Sequence, residues 1–179
     1  MADIKIHDKK FVPYLSEEQI LAKVKELANT LNNDYRGKRP LFISVLNGSF
    51  MFSADLFKFL TIDAEICFIK LASYKGTKST GHVITAIGLD TDINGRDIII
   101  LEDIIDTGKT MNEFLPQITH QQPSSLKIAV LLHKPDATQF PLTIDYTCFS
   151  IPNKFVVGYG LDYDGLGRNL GQLYQLKED

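Results

Sequence analysis

The sequence predicts an α/β fold in which a mainly parallel, twisted sheet is flanked by helices. Apolar residues recur at helical spacing in two segments, from Ile20 to Leu31 and from Phe50 to Leu60. A short apolar run lies at 41–46 and an unbroken one lies within 97–103, and such a run is typical of a strand covered on both faces. Buried strands that alternate with helices indicate a parallel sheet with helices on its faces.

The composition is that of one globular domain. The chain has 179 residues, of which 44% are apolar and 23% are charged, and its mean hydropathy is -0.04. The net charge of -3 argues against a surface that binds nucleic acid, because such a surface needs an excess of Lys and Arg. We therefore predict a single domain over 1–179 with no nucleic-acid partner.

The cysteines and the apolar segments predict the compartment. Cys67 and Cys148 lie far apart in strand-like runs and are interpreted as reduced core thiols rather than a disulfide or a zinc site. The first residues contain no apolar run of signal-peptide length, and no segment approaches the roughly 20 apolar residues that cross a bilayer. The sequence thus predicts a cytoplasmic protein with no membrane partner.

The first helix and strand open the predicted α/β unit. Ser16 and Gln19 fit a capping box, which begins a helix that should end near Asn33. A strand at 41–46 stops at a tight turn, Asn47-Gly48, before the second helical segment. Strand, turn and helix in this order are the start of a βαβ unit.

A polar segment follows the next strand. The run at 65–74 is predicted to be a strand, and 75–82 (KGTKSTGH) is expected to be an exposed, mobile loop and a candidate lid. A strand at 84–89 should return from this loop. Asn94-Gly95 then predicts a turn into the strand at 97–103.

The second half continues the alternation. A helix is expected from about Thr107 to His120, and Pro116 inside it should kink or shorten it. Further strands are expected at 126–134 and 143–151. The glycine-rich tail from Lys154 suits a flap that forms part of a site.

The stretch IIILEDIIDTGKT, residues 98–110, carries the clearest chemistry. A buried strand delivers Glu102, Asp103 and Asp106 before a glycine turn that opens a helix. At the carboxyl edge of a parallel sheet, free N–H groups and the helix dipole favour a phosphate at such a turn. Residues 106–110 are therefore a candidate phosphate cradle. Taken alone, the three carboxylates could equally be a solvated strand end and an N-cap.

A Walker A loop is the alternative that this stretch suggests. Gly108-Lys109-Thr110 matches the end of that motif. Its first glycine would have to stand where the chain has Asp103. The Walker A interpretation therefore fails.

The same stretch consists of four apolar, two acidic and two apolar residues followed by Asp-Thr-Gly-x-Thr. It resembles the signature with which type I phosphoribosyltransferases bind phosphoribosyl pyrophosphate (PRPP). Four further segments resemble hypoxanthine-guanine phosphoribosyltransferases in order and spacing, and the resemblance covers most of residues 40–176. They are VLNGSF (45–50), LASY (71–74), LLHK (131–134) and KFVVGYGLDYDGLGRNL (154–170). The resemblance implies the type I phosphoribosyltransferase fold, with a core at roughly 36–150 and a small hood from the N-terminal segment and 151–179.

The resemblance also implies a reaction. The 5-phosphoribosyl group of PRPP is expected to be transferred to N9 of hypoxanthine or guanine, with Mg²⁺ as cofactor, to give IMP or GMP and pyrophosphate. A homodimer or homotetramer is implied, and the preference between the two bases is left open. Lys109 is either a phosphate contact or a solvated lysine. The residues implied at the 5′-phosphate are Asp106, Thr107, Gly108, Lys109 and Thr110.

Several residues are implied at the base. Asp106 resembles the general acid/base near purine N7, and Lys134 resembles the donor to the 6-oxo group. Phe155 is expected to stack on the base, and Val156 is expected to meet its C2 edge through the backbone. Asp162 is also placed close to the purine.

Carboxylates are implied at the ribose and the metal ion. Glu102 and Asp103 would accept hydrogen bonds from the ribose hydroxyls, directly or through magnesium-bound water. Asp162 would help to hold Mg²⁺ between ribose and pyrophosphate. The residues implied at the pyrophosphate are Asn47, Gly48, Ser73, Tyr74 and Arg168.

One position departs from the family pattern. Asn47 stands where familiar mammalian members carry lysine, which leaves the affinity for pyrophosphate open. The family holds the preceding peptide bond in the cis form, so the resemblance implies a cis Leu46-Asn47 bond.

Two other functions are compatible with part of the same sequence pattern. A PRPP-binding regulator would retain the fold and the phosphate cradle and bind nucleic acid, but the low net basicity argues against it. An enzyme of the same class could act on xanthine or a pyrimidine. The roles implied for Lys134 and Phe155 favour 6-oxopurines instead.

Overall fold

The computed structural model describes residues 2–75 and 82–178 of the chain. Within these residues the chain forms two sheets and three α-helices. The helices are α1 (Glu17–Asp34), α2 (Phe50–Phe59) and α3 (Lys109–His120). The strands are β1 (Ile4–Ile6), β2 (Lys9–Leu15), β3 (Leu41–Leu46), β4 (Glu65–Lys75), β5 (His82–Ile87), β6 (Asp97–Ile105), β7 (Ser125–His133), β8 (Tyr146–Ser150), β9 (Val156–Val157) and β10 (Leu173–Leu176).

The larger sheet is mainly parallel. Its strand order is β5-β4-β3-β6-β7-β8. Strands β3, β4, β6, β7 and β8 run parallel, and β5 pairs antiparallel with β4 at one edge. This confirms the predicted α/β fold and the strand that returns after 65–74.

Both faces of β6 are buried, as its apolar centre predicts. Ile99 and Leu101 belong to a cluster with residues of α1 and α2, whereas Ile98 and Ile100 belong to a cluster with residues of α3. All four side chains are fully buried. Each such side chain contributes about 1.5 to 3 kcal/mol by leaving water, so this strand is held firmly in the middle of the sheet.

Two helices begin at residues that the sequence explains. In α1, Ser16 Oγ accepts from Gln19 N at 3.3 Å and Gln19 Oε1 accepts from Ser16 N at 2.9 Å, which confirms the capping box. Helix α3 begins at Lys109 rather than at Thr107. Gly108 precedes it in a left-handed conformation (φ 79°), which residues inside a right-handed helix do not adopt.

Helix α3 is not shortened at Pro116 and continues to His120, the end expected from the sequence. Met111, Phe114 and Ile118 are buried on both sides of the exposed proline. Packing against the sheet therefore stabilises both halves of the helix across the missing proline N–H.

The smaller sheet joins the two ends of the chain. Its order is β1-β2-β10-β9, and its strands pair antiparallel. It buries a small cluster of its own, Ile6, Phe11, Val157 and Tyr174. This sheet is built from the two segments that the resemblance assigned to a hood, and it is called the hood below; strands β1 and β2 were not predicted individually.

Two further expectations concern the candidate lid and segments able to cross a membrane. The candidate lid, 75–82, lies outside the described residues except for its two ends. In the part of the chain that the structure describes, no helix has the length and apolar character needed to cross a membrane.

We expect Ser16→Ala to destabilise the protein by about 1 kcal/mol, because the Gln19 N–H loses its side-chain acceptor. Urea unfolding followed by circular dichroism measures the change. In the matched control, Thr119→Ala removes a hydroxyl that donates to Leu115 O at 2.9 Å within α3. The control should change stability by less than about 0.5 kcal/mol, and equal losses in the two variants would contradict a capping role.

Candidate active site

Polar residues follow the carboxyl ends of three neighbouring strands. Asn47 comes after β3, Asp106 after β6 and Lys134 after β7. Because these strands are parallel neighbours in the order β3-β6-β7, their ends meet at one edge of the sheet. The fold thus gathers residues that are far apart in the sequence.

The turn between β6 and α3 forms a small cup. Residues 106–110 line it, and its volume is about 100 Å³. Thr107 O accepts hydrogen bonds from Gln139 N at 3.0 Å and Phe140 N at 3.1 Å, which hold the turn in place. A Cβ on Gly108 would lie 3.2 Å from Phe140 O, so the turn also has little room for a larger residue. The cup lies at the N-terminus of a 12-residue helix, where N–H groups and the dipole favour an anion.

A buried lysine contacts an exposed aspartate beside this cup. Lys134 Nζ lies 2.9 Å from Asp106 Oδ2, and the two side chains are 7% and 46% exposed. Lys134 N donates to Ile105 O at 2.9 Å, and Thr138 Oγ1 donates to Asp106 O at 3.3 Å. These bonds join the ends of β6 and β7. The Asp106 carboxylate is therefore held by Lys134 and remains open to solvent.

Two adjacent carboxylates precede the cup on β6. Glu102 is 9% exposed, and its Oε2 has no hydrogen-bond partner among the described residues. Burial, followed by the Asp103 charge, raises the pKa of Glu102 well above its usual value. Burial also raises the pKa of Asp103 to about 6, against the lowering effect of a hydrogen bond from Ile104 N. The charged form of a carboxylate desolvated in this way is stabilised when a cation or hydroxyl donors pair with it.

The turn after β3 packs against the end of β6. The Leu46-Asn47 peptide bond is cis, as the resemblance implied. A Cβ on Gly48 would overlap the Asp103 carboxylate, and a Cβ on Gly160 would overlap the Gly48 carbonyl oxygen. Glycine is therefore required at both positions. The Asn47 side chain remains exposed.

Arg168 and Asp162 form an ion pair in the tail. Arg168 Nη2 lies 2.6 Å from Asp162 Oδ1, and Arg168 Nη1 donates to Gly160 O at 2.7 Å. Asp162 Oδ2 accepts from Gly165 N at 2.8 Å. Both oxygens of Asp162 are therefore engaged, and the guanidinium lies next to the glycine that contacts the turn after β3.

The carboxylates expected at a magnesium ion are not assembled as a cluster. Across residues 2–75 and 82–178, no group of three or more His, Cys, Asp and Glu side chains is arranged to hold a metal ion. Beyond burial, the charges of Arg168 and Asp162 act on the pKa of Asp103, lowering and raising it respectively. The three carboxylates therefore share one region without forming a complete ligand set.

Phe155 lies in an aromatic cluster of the hood. Its side chain is 46% exposed. Its ring centroid lies 6.3 Å from that of Phe11 and 5.9 Å from that of Tyr163, the latter in an edge arrangement. Val156 follows it in β9 and is buried. Phe155 thus keeps a large exposed ring surface while two aromatic neighbours hold it in place.

Other contacts of the site have no sequence signal. Tyr159 is 1% exposed, and its hydroxyl donates to Asp55 Oδ2 on α2 at 2.7 Å. This bond ties the tail to the helix that follows Asn47 and Gly48. Sequence reasoning gave Tyr159, Phe11 and Tyr163 no role, because their partners lie in distant segments.

Two of the residues expected at the pyrophosphate lie on β4. Ser73 and Tyr74 are near the end of that strand. Their side chains fall outside the part of the structure that is described.

Comparison with known proteins decides the family. The model of the phosphoribosyl transferase domain matches residues 14–164. A hypoxanthine-guanine phosphoribosyltransferase from Streptococcus agalactiae is 45% identical over 174 residues, which cover 97% of this chain and 96% of that protein. The chain belongs to the hypoxanthine-guanine phosphoribosyltransferase family. This membership confirms the resemblance and the enzyme class expected from the sequence.

Solved structures of phosphoribosyltransferases agree with this assignment. A hypoxanthine-guanine phosphoribosyltransferase from Bacillus anthracis has a TM-score of 0.84 at 37% identity, covering 92% of this chain and 96% of that one. A hypoxanthine phosphoribosyltransferase from Staphylococcus aureus has a TM-score of 0.86 at 39% identity, covering 93% and 91%. They confirm the type I phosphoribosyltransferase fold. The regulator considered above loses support, because these relatives are named as transferases.

We expect Asp103→Asn to stabilise the metal-free enzyme near pH 7.5. The pKa of Asp103 rises from 3.8 to about 6 on folding, so the native state loses stability as pH rises across this interval. The variant lacks that loss and should gain about 1 to 3 kcal/mol over the native chain at pH 7.5, with little gain near pH 4. Urea unfolding in a chelating buffer at both pH values measures the difference, and a gain that does not change with pH would contradict the prediction.

Proposed function

We propose that the chain transfers the 5-phosphoribosyl group of PRPP to N9 of hypoxanthine or guanine and releases pyrophosphate. The C1′–O bond to pyrophosphate breaks, and a C1′–N9 bond forms to give IMP or GMP. The observation that carries this proposal is the Asp106–Lys134 pair, 2.9 Å apart beside the cup at 106–110. A carboxylate, a cation and an anion site lie side by side there, which suits a purine nucleotide.

The cup would bind the 5′-phosphate. Backbone N–H groups of residues 106–110 and the hydroxyls of Thr107 and Thr110 are the donors proposed for it. Lys109 Nζ lies 3.9 Å from Glu113 Oε1, and both side chains are partly exposed. This loose pair is compatible with both interpretations of Lys109, a phosphate contact and a solvated lysine.

Asp106 is proposed as the general acid/base. When N9 attacks C1′, the purine must lose the proton of N7–H, and the open oxygen of the Asp106 carboxylate can accept it. In the reverse direction, the same carboxyl returns the proton to N7. The buried Lys134 ammonium holds the carboxylate in position.

Lys134 and the hood would select the base. The ammonium can donate to the 6-oxo group but has no acceptor for the 6-amino group of adenine. Phe155 would stack on the ring, a contact of roughly 1 to 3 kcal/mol. The backbone at Val156 would meet the C2 edge, which leaves room for the amino group of guanine, and Asp162 would lie nearby.

Mg²⁺ is proposed as the cofactor. Glu102 Oε2 is buried without a partner among the described residues, and carboxylate oxygens suit this ion. Glu102, Asp103 and Asp162 would hold it together with oxygens of the substrate, and the two residues on β6 would also accept hydrogen bonds from the ribose hydroxyls. When bound, the ion would neutralise negative charge on the pyrophosphate group.

The pyrophosphate is proposed to bind between the turn after β3 and Arg168. Asn47 carries no charge, so this turn would act through the backbone N–H groups at Asn47 and Gly48. Arg168 would supply the cation, and the contacts of its guanidinium with Gly160 and Asp162 support its place beside the turn. Ser73 and Tyr74 would complete this end of the site.

We further propose that residues 1–179 act as one domain, with a core at roughly 36–150 and a hood from the N-terminal segment and 151–179. The pairing of β2 with β10 supports the hood. Phe50 and Phe68 are 40% and 45% exposed, which supports assembly as a homodimer or homotetramer that light scattering would distinguish.

A cytoplasmic location without a nucleic-acid or membrane partner also remains a proposal. Cys67 and Cys148 are free thiols. They lie on β4 and β8, which three other strands separate, so they are too far apart for a disulfide.

Initial rates of IMP and GMP formation test the function. We expect turnover that depends on magnesium and that falls by about 10²- to 10⁴-fold in Asp106→Asn, which keeps an acceptor for Lys134 but cannot take the proton. Asp136→Asn, at an exposed aspartate soon after β7, is the control and should keep nearly full activity. A native chain that binds PRPP by calorimetry but forms neither nucleotide would refute the proposal.

Base recognition has its own test in Lys134→Gln. We expect kcat/KM for hypoxanthine and guanine to fall by about 10- to 100-fold, because a charged hydrogen bond is lost, while the Kd for PRPP changes by less than about twofold. Lys127→Gln is the matched control: it breaks a pair with Asp145 at 2.7 Å at the opposite end of β7. Equal effects on PRPP and on the bases would contradict the role given to Lys134.

A further inference from the structure

Three buried serines lie behind the turn after β3. Ser44 is in β3, Ser49 immediately precedes α2 and Ser53 is inside that helix, and their exposed fractions are 0%, 0% and 1%. Ser44 Oγ lies 2.7 Å from Ser49 Oγ and 2.6 Å from Ser53 Oγ. Ser49 Oγ donates to Val45 O at 2.5 Å. The hydroxyls therefore form one connected network.

The network has a single direction. Each hydroxyl carries one proton, and that of Ser49 goes to Val45 O. Ser44 must then donate to Ser49, and Ser53 must donate to Ser44. The chain therefore runs from Ser53 through Ser44 and Ser49 to the Val45 carbonyl, and each buried proton is used.

The last link closes the turn that contains Asn47 and Gly48. Ser49 N also donates to Val45 O, but at 3.4 Å, so the hydroxyl makes the shorter of the two bonds across the turn. In the same turn, Gly48 is in contact with Asp103 and Gly160, where a single Cβ would not fit. A small displacement of the turn would therefore also shift its contacts with Asp103 and Gly160.

The chemistry of the turn makes its position important. Asn47 is exposed and uncharged, so an anion bound here depends on backbone dipoles rather than on a cation of the turn. Dipoles act strongly only at the right distance and direction, whereas a charge tolerates displacement.

We propose that Ser49, supported by Ser44, is a positioning residue for the pyrophosphate end of the site. This inference rests on the proposed function. Neither serine touches substrate; they act through the turn of Asn47 and Gly48. Their effect is therefore confined to PRPP and pyrophosphate and does not extend to the base.

Three alanine variants test the proposal, because each removes one equally buried hydroxyl. Ser49→Ala loses the link to Val45 O and should raise the KM for PRPP, and for pyrophosphate in IMP cleavage, by about 5- to 30-fold. Ser44→Ala keeps the bond from Ser49 Oγ to Val45 O but removes the hydroxyl that donates to Ser49. Its effect should therefore be smaller. Ser53→Ala removes only the outer donor and should change these constants by less than about twofold. The KM for hypoxanthine should stay within about twofold in all three.

A double variant separates positioning from stability. Because Ser44 acts through Ser49, adding Ser44→Ala to Ser49→Ala should raise the KM for pyrophosphate no further, whereas unfolding temperatures should fall with each hydroxyl removed. Unchanged constants for pyrophosphate in Ser49→Ala, or equal rises for hypoxanthine, would overturn the proposal. If Ser49→Ala does not fold, the same comparison between Ser44→Ala and Ser53→Ala decides.

Turnover by the native chain tests the proposed function separately. If the native chain forms IMP, the serine variants are judged by their kinetic constants. If it does not, calorimetry of pyrophosphate binding to the native chain and the variants gives the same comparison. A weaker Kd in Ser49→Ala than in Ser53→Ala would support positioning, and equal values would overturn it.

Discussion

Parallel pairing of β3, β6 and β7 is the constraint on which the rest of the molecule depends. Adjacent strands lie about 4.8 Å apart, so residues that follow their carboxyl ends are near neighbours even when the sequence separates them widely. Asn47, Asp106 and Lys134 occupy these places. The buried isoleucines and leucine of β6 fix the central strand, and with it the position of the cup at 106–110.

The same arrangement places acidic groups where they weaken the fold. Burial raises the pKa of both Glu102 and Asp103, so their ionised forms oppose folding near neutral pH. Lys134 is different, because its buried ammonium has the Asp106 carboxylate as a partner. Glu102 and Asp103, which have no cation as a partner, are the groups proposed to meet the metal ion and the ribose. Binding would therefore stabilise the native state as well as prepare the reaction.

The sequence predicts the parts of the site that are local. Residues 98–110 contain strand, carboxylates and turn in one stretch, so a motif of 13 letters was enough to place Asp106 and Gly108. The alternation of apolar runs likewise gave the parallel sheet. Contacts that join distant segments left no such pattern: Phe11 against Phe155, and Tyr159 with Asp55. Pro116 does not end α3 for a related reason, since tertiary packing outweighs the local preference of the helix.

The hood also sets an order of events in biosynthesis. Strand β2 precedes the strands of the parallel sheet in the sequence, but its partner β10 follows them. The chain is made from its N-terminus, so β2 can pair with β1 at once, but its other edge stays open until every strand of the parallel sheet has been made. The parallel sheet and the cup at 106–110 can form during that time, but Phe155 is held against Phe11 only after β10 has paired with β2. A nascent chain would accordingly form the cup at 106–110 first and the aromatic cluster of the hood later.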